Sequence, residues 1–254
     1  MKVFVINLKS SSDRRISIEQ QCQMLNLNYE FIEAVDGKDF SRDELSMHTM
    51  INSYAIKPGE VGCALSHQKI YDKIVAEEID HALILEDDAL LNPSLSDVLS
   101  NLDMGSFKSN PSVILLSKVE SYLNKKISII GEGHILYPIF YAKAAHAYII
   151  NNSAAKNLKD LLYPVWMVAD HWQLFEDYNA VKVYCIQPEL VTLNDCNIIS
   201  TIQLPENEEK LIDYKNRKKE AWGELKKIRP FSVRLRQRYN RVIKPLLYKR
   251  ISGK

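Results

Sequence analysis

His81-Ala82-Leu83-Ile84-Leu85-Glu86-Asp87-Asp88-Ala89-Leu90-Leu91 sets an apolar run directly against three adjacent acids. A run this short, flanked by helical patterns, reads as a buried strand. Three neighbouring carboxylates repel one another, and burial raises the cost. A bound cation relieves that cost, and hard divalent ions such as Mg²⁺ and Mn²⁺ take carboxylate oxygens while keeping positions open for phosphate. In open α/β sheets the ligand crevice lies beyond the carboxyl ends of the strands, where these acids would sit. The plain alternative is an acidic turn with solvated side chains.

Working outward, strand and helix patterns alternate. Strands are expected over residues 2–8, 29–35, 113–116 and 147–150, with a last one over 181–186. Helices are expected over 14–27, 41–50, 61–79, from Asn92-Pro93-Ser94 to Leu102, over 153–162, and from Asp170 to Tyr178. Gly131 and Gly133 mark the turn of a hairpin over 127–137, and Pro58-Gly59 reads as a chain break. Repeated β-α-β units imply an α/β fold, a Rossmann-type, mostly parallel sheet flanked by helices.

With 254 residues and 46% hydrophobic composition, the chain can bury a sizeable core. No stretch approaches the roughly 20 apolar residues of a spanning helix, and the apolar run at Met1–Asn7 is too short for a secretory signal. Cys22, Cys63, Cys185 and Cys196 are scattered, which fits buried reduced thiols rather than a disulfide frame or a zinc site. The net charge of +1 hides an asymmetry: residues 215–254 hold 15 Lys and Arg against Glu220 and Glu224, and the remainder holds 18 basic and 30 acidic residues. We therefore expect a body over 1–204 and a basic, amphipathic, helical extension over 205–254.

Other segments carry candidate chemistry. Arg14 and Arg15 follow the first strand, where a helix N-terminus favours anions such as a diphosphate; a capped helix with two solvated arginines is the alternative. Asp36-Gly37 is a ribose contact or a bare turn. The small residues of Gly62-Cys63-Ala64-Leu65-Ser66-His67 permit a helix to approach a ligand closely. Asp170 is a helix cap or a base, and Trp172 a core residue or a sugar-stacking ring. No Gly-x-Gly-x-x-Gly or P-loop is present.

Together these segments resemble glycosyltransferase family 25, which extends bacterial lipopolysaccharide and lipooligosaccharide cores and includes collagen galactosyltransferases. The resemblance spans about residues 2–200. It rests on Val5-Ile6-Asn7-Leu8 with Asp13-Arg14-Arg15, on the Gly62–His67 segment, on Leu85-Glu86-Asp87-Asp88-Ala89-Leu90-Leu91, on Ala147-Tyr148-Ile149-Ile150 and on Asp170. It implies a GT-A-like fold, a UDP-sugar donor (galactose first), Mn²⁺ or Mg²⁺, and inversion at the anomeric carbon. The acid triplet looks like the family's Asp-x-Asp motif with Glu86 in first place, so the match leaves open which acid meets metal and which ribose. Asp88 with Glu86 is expected on the metal, and Asp13, Arg14, Asp36, His67, Glu86 and Asp87 on the donor. Asp170 is the expected base, with His171 in reserve.

The expected acceptor is a hydroxyl of a lipid-linked core oligosaccharide. The expected place is the bacterial cytoplasm, on the inner face of the inner membrane, with the extension on anionic lipid. A chain ending near Leu211 is expected to keep transfer to a soluble acceptor. Two rival classes are a metal-dependent phosphoryl-transfer enzyme and a non-catalytic nucleic-acid-binding protein using the basic tail. The acidic body opposes the second, and no nucleic-acid partner is expected.

Overall fold

The computed structural model describes residues 1–131, 133–193 and 208–253. The first half of the chain forms β1 (Lys2–Asn7), α1 (Ser12–Met24), β2 (Tyr29–Glu33), α2 (Arg42–His48), α3 (Pro58–Ala76), β3 (His81–Glu86), β4 (Ala89–Leu91), α4 (Leu95–Asn101) and β5 (Ser112–Leu115). Then come β6 (Ser121–Leu123), β7 (Ser128–Ile130), β8 (His134–Tyr141), β9 (Ala147–Asn151), α5 (Asn152–Leu162), α6 (Trp172–Asp177), β10 (Lys182–Gln187) and β11 (Val191–Leu193). The basic extension forms α7 (Glu208–Ile228), α8 (Phe231–Arg238), a π-helical turn (Tyr239–Ile243), α9 (Lys244–Leu247) and β12 (Arg250–Ser252).

The α/β class expected from the sequence is what the structure shows. Among the described residues the large sheet runs β12-β6-β8-β10-β5-β9-β3-β1-β2, with β7 on β8. From the pairings, β2, β1, β3, β5, β10, β6 and β7 point one way, and β9, β8 and β12 the other. The strand over 182–187 is not the last: β11 pairs with β4, and β12 adds the extension to the sheet edge.

The centre of the sheet follows from period-two alternation with both faces apolar. Phe4, Ile6, Ala82 and Ile84 face one core with Ile70, Tyr71 and Ile74 of α3 and Ala154, Ala155 and Leu158 of α5. Val3, Val5, Leu83 and Leu85 face the other, with Ile18 and Cys22 of α1 and Leu95 and Val98 of α4. Each of these large side chains is fully or almost fully buried, worth about 1.5–3 kcal/mol apiece before entropy is counted.

Three local expectations are corrected. Pro58-Gly59 does not break the chain: Pro58 occupies the first turn of α3, where its missing N–H has no helical partner to lose. Asp170 is not a helix cap. His171 takes the capping position of α6, and the Asp170 carboxylate is committed elsewhere, as described below. The extension does not stand apart from the body. Leu225 and Val233 are buried, and the boundary expected near residue 204 falls outside the described residues.

Candidate functional site

β3 delivers Glu86 to the carboxyl edge of the sheet, level with Ile6 of β1. On its other side β9 runs antiparallel, and the Glu86 N–H donates to His146 O at 2.8 Å. The register thus sets an imidazole beside the first acid. His146 Nδ1 lies 3.7 Å from Glu86 Oε2, and His67 Nε2 lies 3.4 Å from Oε1. Behind them, His67 Nδ1 is 2.7 Å from Tyr148 Oη, which is 3.1 Å from Tyr71 Oη. With Nε2–H directed at the carboxylate, Nδ1 accepts from the tyrosine hydroxyl, which fixes tautomer and ring orientation.

The three acids therefore have different surroundings. Burial opposes charge on Glu86, but the hydrogen bonds from His146 and His67 outweigh it and hold the group well below the usual carboxylate range. Asp87 is raised by burial despite Asn7, whose amide donates to Oδ2 at 2.7 Å, and Arg14, whose Nη1 reaches Oδ1 at 3.3 Å. Asp88 is pushed up to about 6 by burial and by the charge of Glu86. Arg14 Nη1 lies 3.8 Å from its Oδ2, and its buried Oδ1 has no hydrogen-bond partner.

A cation would satisfy that buried oxygen, which is the test of whether these residues fit one. Glu86, Asp88 and His146 each offer one ligand atom, all within 4.8 Å of one another. Two carboxylates and one imidazole fit Mn²⁺ well and Mg²⁺ acceptably. Cys63, His67 and Glu86 form a second such group, and without a metal burial drives the Cys63 thiol well up.

The acids open into a cavity of about 910 Å³. Of the residues singled out in the sequence, Arg14, Asp36, His67, Glu86, Asp87, Asp88, Asp170 and His171 all line it. Asp13 does not: it is exposed on the first turn of α1 and is not part of the cavity wall. Arg15 also leaves the site, its guanidinium 3.7 Å from the centre of the Phe31 ring. Asp36 caps the turn at 37–39, accepting from Lys38 N at 3.0 Å, so ribose contact is not its sole possible work. Cys63 lines the cavity rather than being a buried packing thiol, Cys22 and Cys185 are buried, and Cys196 lies outside the described residues.

The small residues of α3 serve the backbone more than a ligand. A Cβ on Gly62 would lie 2.5 Å from Val35 O and 2.6 Å from Gly37 N. Ser66 Oγ accepts from Val35 N at 2.8 Å and donates to Gly62 O at 2.7 Å. These contacts hold the Asp36 turn against the helix.

Asp170 and Trp172 together grip one strained residue. Ala144 has φ 78°. Its N–H donates to Asp170 Oδ2 at 3.0 Å, and its carbonyl accepts from Trp172 Nε1 at 2.9 Å. Trp172 is fully buried, so it is a core residue and not a sugar platform. His171 is pushed down to about 4 by burial, which keeps its imidazole neutral.

The extension builds part of the wall. Tyr214, Lys215 and Lys218 of α7 line the cavity. Tyr214 Oη and Lys218 Nζ donate to Glu60 Oε1 at 2.6 and 2.8 Å, while Ile56 N and Lys57 N donate to Oε2 at 2.8 and 3.1 Å. Trp222 stacks on His171 with ring centres 5.3 Å apart and planes 12° from parallel. Arg229 Cζ lies 4.3 Å from the centre of the Trp222 ring. The expectation that the extension is separable from the cavity is therefore corrected. Sequence reasoning also missed His146, Asn7 and Glu60. Their signals were weak: a polar residue at the end of an apolar strand for Asn7, and a histidine just before one for His146.

The family model described as glycosyltransferase family 25 (LPS biosynthesis protein) matches residues 1–173. A putative glycosyltransferase R655 of Acanthamoeba polyphaga mimivirus is 29% identical over 171 residues, covering 63% of this chain and 52% of the relative. The lipooligosaccharide biosynthesis protein lic2B of Haemophilus influenzae is 28% identical over 165 residues, 61% of each chain. Human procollagen galactosyltransferase 2 is 28% identical over 115 residues, 40% of this chain and 18% of the relative. The chain thus spans about half of the viral relative, and 16% of the family member from Aedes aegypti.

Proposed function

Since the chain belongs to glycosyltransferase family 25, we propose that it transfers a hexose, galactose first, from a UDP-sugar to a hydroxyl of a lipooligosaccharide-type core acceptor, with inversion. The observation that carries this reading is the shared cavity. One space of about 910 Å³ holds the strand-end acids, Arg14 and Asp170. The relatives support the substrate class: one is a lipooligosaccharide biosynthesis protein and another a procollagen galactosyltransferase.

In this reading Asp88, Glu86 and His146 are the residues that would hold a divalent ion, Mn²⁺ or Mg²⁺. When bound, it neutralises the charge that grows on the departing nucleoside diphosphate. Arg14, within 4 Å of Asp87 and Asp88, lines the same cavity and would offer its guanidinium to the diphosphate. His67 and Tyr148 keep Glu86 ionised and oriented. Asp36 lines the same cavity and in this reading would meet the donor's ribose. Asp170 Oδ2 is occupied by Ala144 N–H, which aims the carboxylate and leaves Oδ1 to take the proton of the attacking hydroxyl. His171, neutral and stacked on Trp222, is the reserve base. Inversion needs one such base and no covalent intermediate.

The reading places the chain on the cytoplasmic face of a bacterial inner membrane, where lipid-linked core acceptors are built. Among the described residues no helix is long and apolar enough to cross a membrane. The test is release of nucleoside diphosphate from a panel of sugar nucleotides, with and without an acceptor oligosaccharide and with EDTA. Acceptor-dependent release from a UDP-hexose that stops in EDTA and returns with Mn²⁺ is expected. No release from any sugar nucleotide overturns the reading.

A further inference from the structure

Beyond α7 the extension shows two unlike faces. One meets the body. Val233 is buried, Arg236 Nη1 donates to Asp177 O at 3.0 Å, and Gln237 and Asn240 donate to the Asp177 carboxylate at 3.2 and 2.9 Å. The other carries Phe231, Leu235, Tyr239, Val242 and Leu246, exposed by 79, 59, 43, 53 and 81%, and Ile228 at the end of α7 is exposed by 65%. Within α8 and at its end, Phe231, Leu235 and Tyr239 stand four residues apart and so share one side, opposite Val233 and Gln237, and Val242 and Leu246 continue the exposed apolar surface beyond them. Arg238 and Arg241 are exposed beside it. From residue 225 to the end the sequence has eleven Lys and Arg and no acid.

A row of large apolar side chains in water is costly unless something covers it. A second copy of the same face would bring two cationic borders together, which opposes self-association. A surface that takes apolar side chains and carries negative charge suits both features. We propose that this face docks on an anionic lipid surface, with the row sunk among the acyl chains and the cations on the headgroups. The attachment does not depend on the identity of the donor. It would nonetheless bring the cavity close to the lipid, because Lys218 and Ile228 are ten residues apart on the single helix α7, about 15 Å along its axis.

The experiment sediments the full chain with vesicles of phosphatidylcholine alone or mixed with phosphatidylglycerol, at low and high salt. Wild type should bind the mixed vesicles, bind the neutral ones far less, and lose binding as salt rises. Phe231→Ser, Leu235→Ser and Leu246→Ser combined should weaken binding by at least about tenfold, with nucleotide release and near-ultraviolet dichroism unchanged. If that variant misfolds, Arg238→Gln with Arg241→Gln decides, and should weaken binding to anionic vesicles only. Equal binding to both vesicle types overturns the proposal, as does a combined variant that sediments like wild type. Light scattering that shows a dimer dispersed by the serine substitutions assigns the face to a second copy and overturns it as well.

Discussion

Asp170 holds Ala144 in a backbone conformation that alanine rarely adopts. The carboxylate accepts the Ala144 N–H at 3.0 Å while φ at Ala144 is 78°. Two residues earlier and later the same loop supplies Ala142 and His146 to the cavity wall. The candidate base and a candidate metal ligand are thus tied through one strained peptide, and a loss of Asp170 acts on both.

Two substitutions separate those effects. Asp170→Asn keeps the volume but removes the base, and should cut turnover by roughly 10²-fold or more. Ala144→Gly accepts the positive φ without strain, so stability should be unchanged or rise by up to about 1 kcal/mol, with turnover kept. Calorimetry and steady-state rates are the readouts. If Ala144→Gly loses as much turnover as Asp170→Asn, the loop and not the carboxylate governs the reaction.

At Asp88 stability and activity should move in opposite directions. Asp88→Asn removes a buried charge that faces Glu86 and whose Oδ1 has no partner. The metal-free variant should therefore melt higher than metal-free wild type, by about 1 kcal/mol. It should also lose transfer, and Mn²⁺ should raise the melting temperature of wild type only. A variant that Mn²⁺ stabilises as fully as wild type removes Asp88 from the metal site.

The sequence made the local parts of this site legible, because a strand that ends in acids carries its own signature. Leu83 and Ile84 point to opposite cores as period two requires, and Glu86 to Asp88 lie at the expected edge. The partners of those acids were not legible. His146 reaches Glu86 only through the pairing of β3 with β9, a register between strands about sixty residues apart. Glu60 meets Lys218 across more than 150 residues, and both look like ordinary surface charges in the sequence. The charge pattern of the extension was visible, but its division was not. Only contacts distinguish α7, which walls the cavity, from α8 and α9, which turn apolar side chains outward.

Gly62 should tolerate no side chain. The added Cβ of Gly62→Ala would meet backbone on two sides, at 2.5 and 2.6 Å, and neither atom is the movable end of a side chain. The turn carrying Asp36 must shift. A loss of roughly 2 kcal/mol or more is expected, together with a higher KM for the donor. Wild-type melting and KM would show that α3 and the turn at 37–39 part freely.

Glu60 and Lys218 give the extension a pH-dependent hold. Burial raises the Glu60 carboxyl, but hydrogen bonds from Lys218 and Tyr214 outweigh it and leave it below its ordinary value. Its contribution is therefore present above the unfolded-state value and is lost as pH falls through the folded one. Lys218→Met leaves a buried carboxylate with fewer donors and should cost roughly 1–3 kcal/mol at neutral pH, with less difference in acid. A chain ending at Leu211 lacks Tyr214, Lys215 and Lys218 from the wall and should lose activity even on a soluble acceptor. Full activity in that shortened chain would return the extension to a purely peripheral role.

Glu176 should work the other way. It is half-buried on α6, accepts Val183 N at 2.9 Å, and is raised by burial from an ordinary 4.5 to about 7. An acid whose folded value is raised favours folding fully below its unfolded value, and that advantage is lost as pH rises through the folded value. Between about pH 4.5 and 7 this group makes the protein progressively less stable. Glu176→Gln keeps an oxygen for Val183 N–H and removes the charge, so it should abolish that slope. The variant should match wild type near pH 5 and exceed it at pH 8 by at most about 3 kcal/mol, a net figure in which Lys182 and Lys244 already favour the ionised form. Denaturant unfolding of both proteins across that range is the measurement. Parallel stability curves would show that Glu176 titrates alike in the folded and unfolded chains.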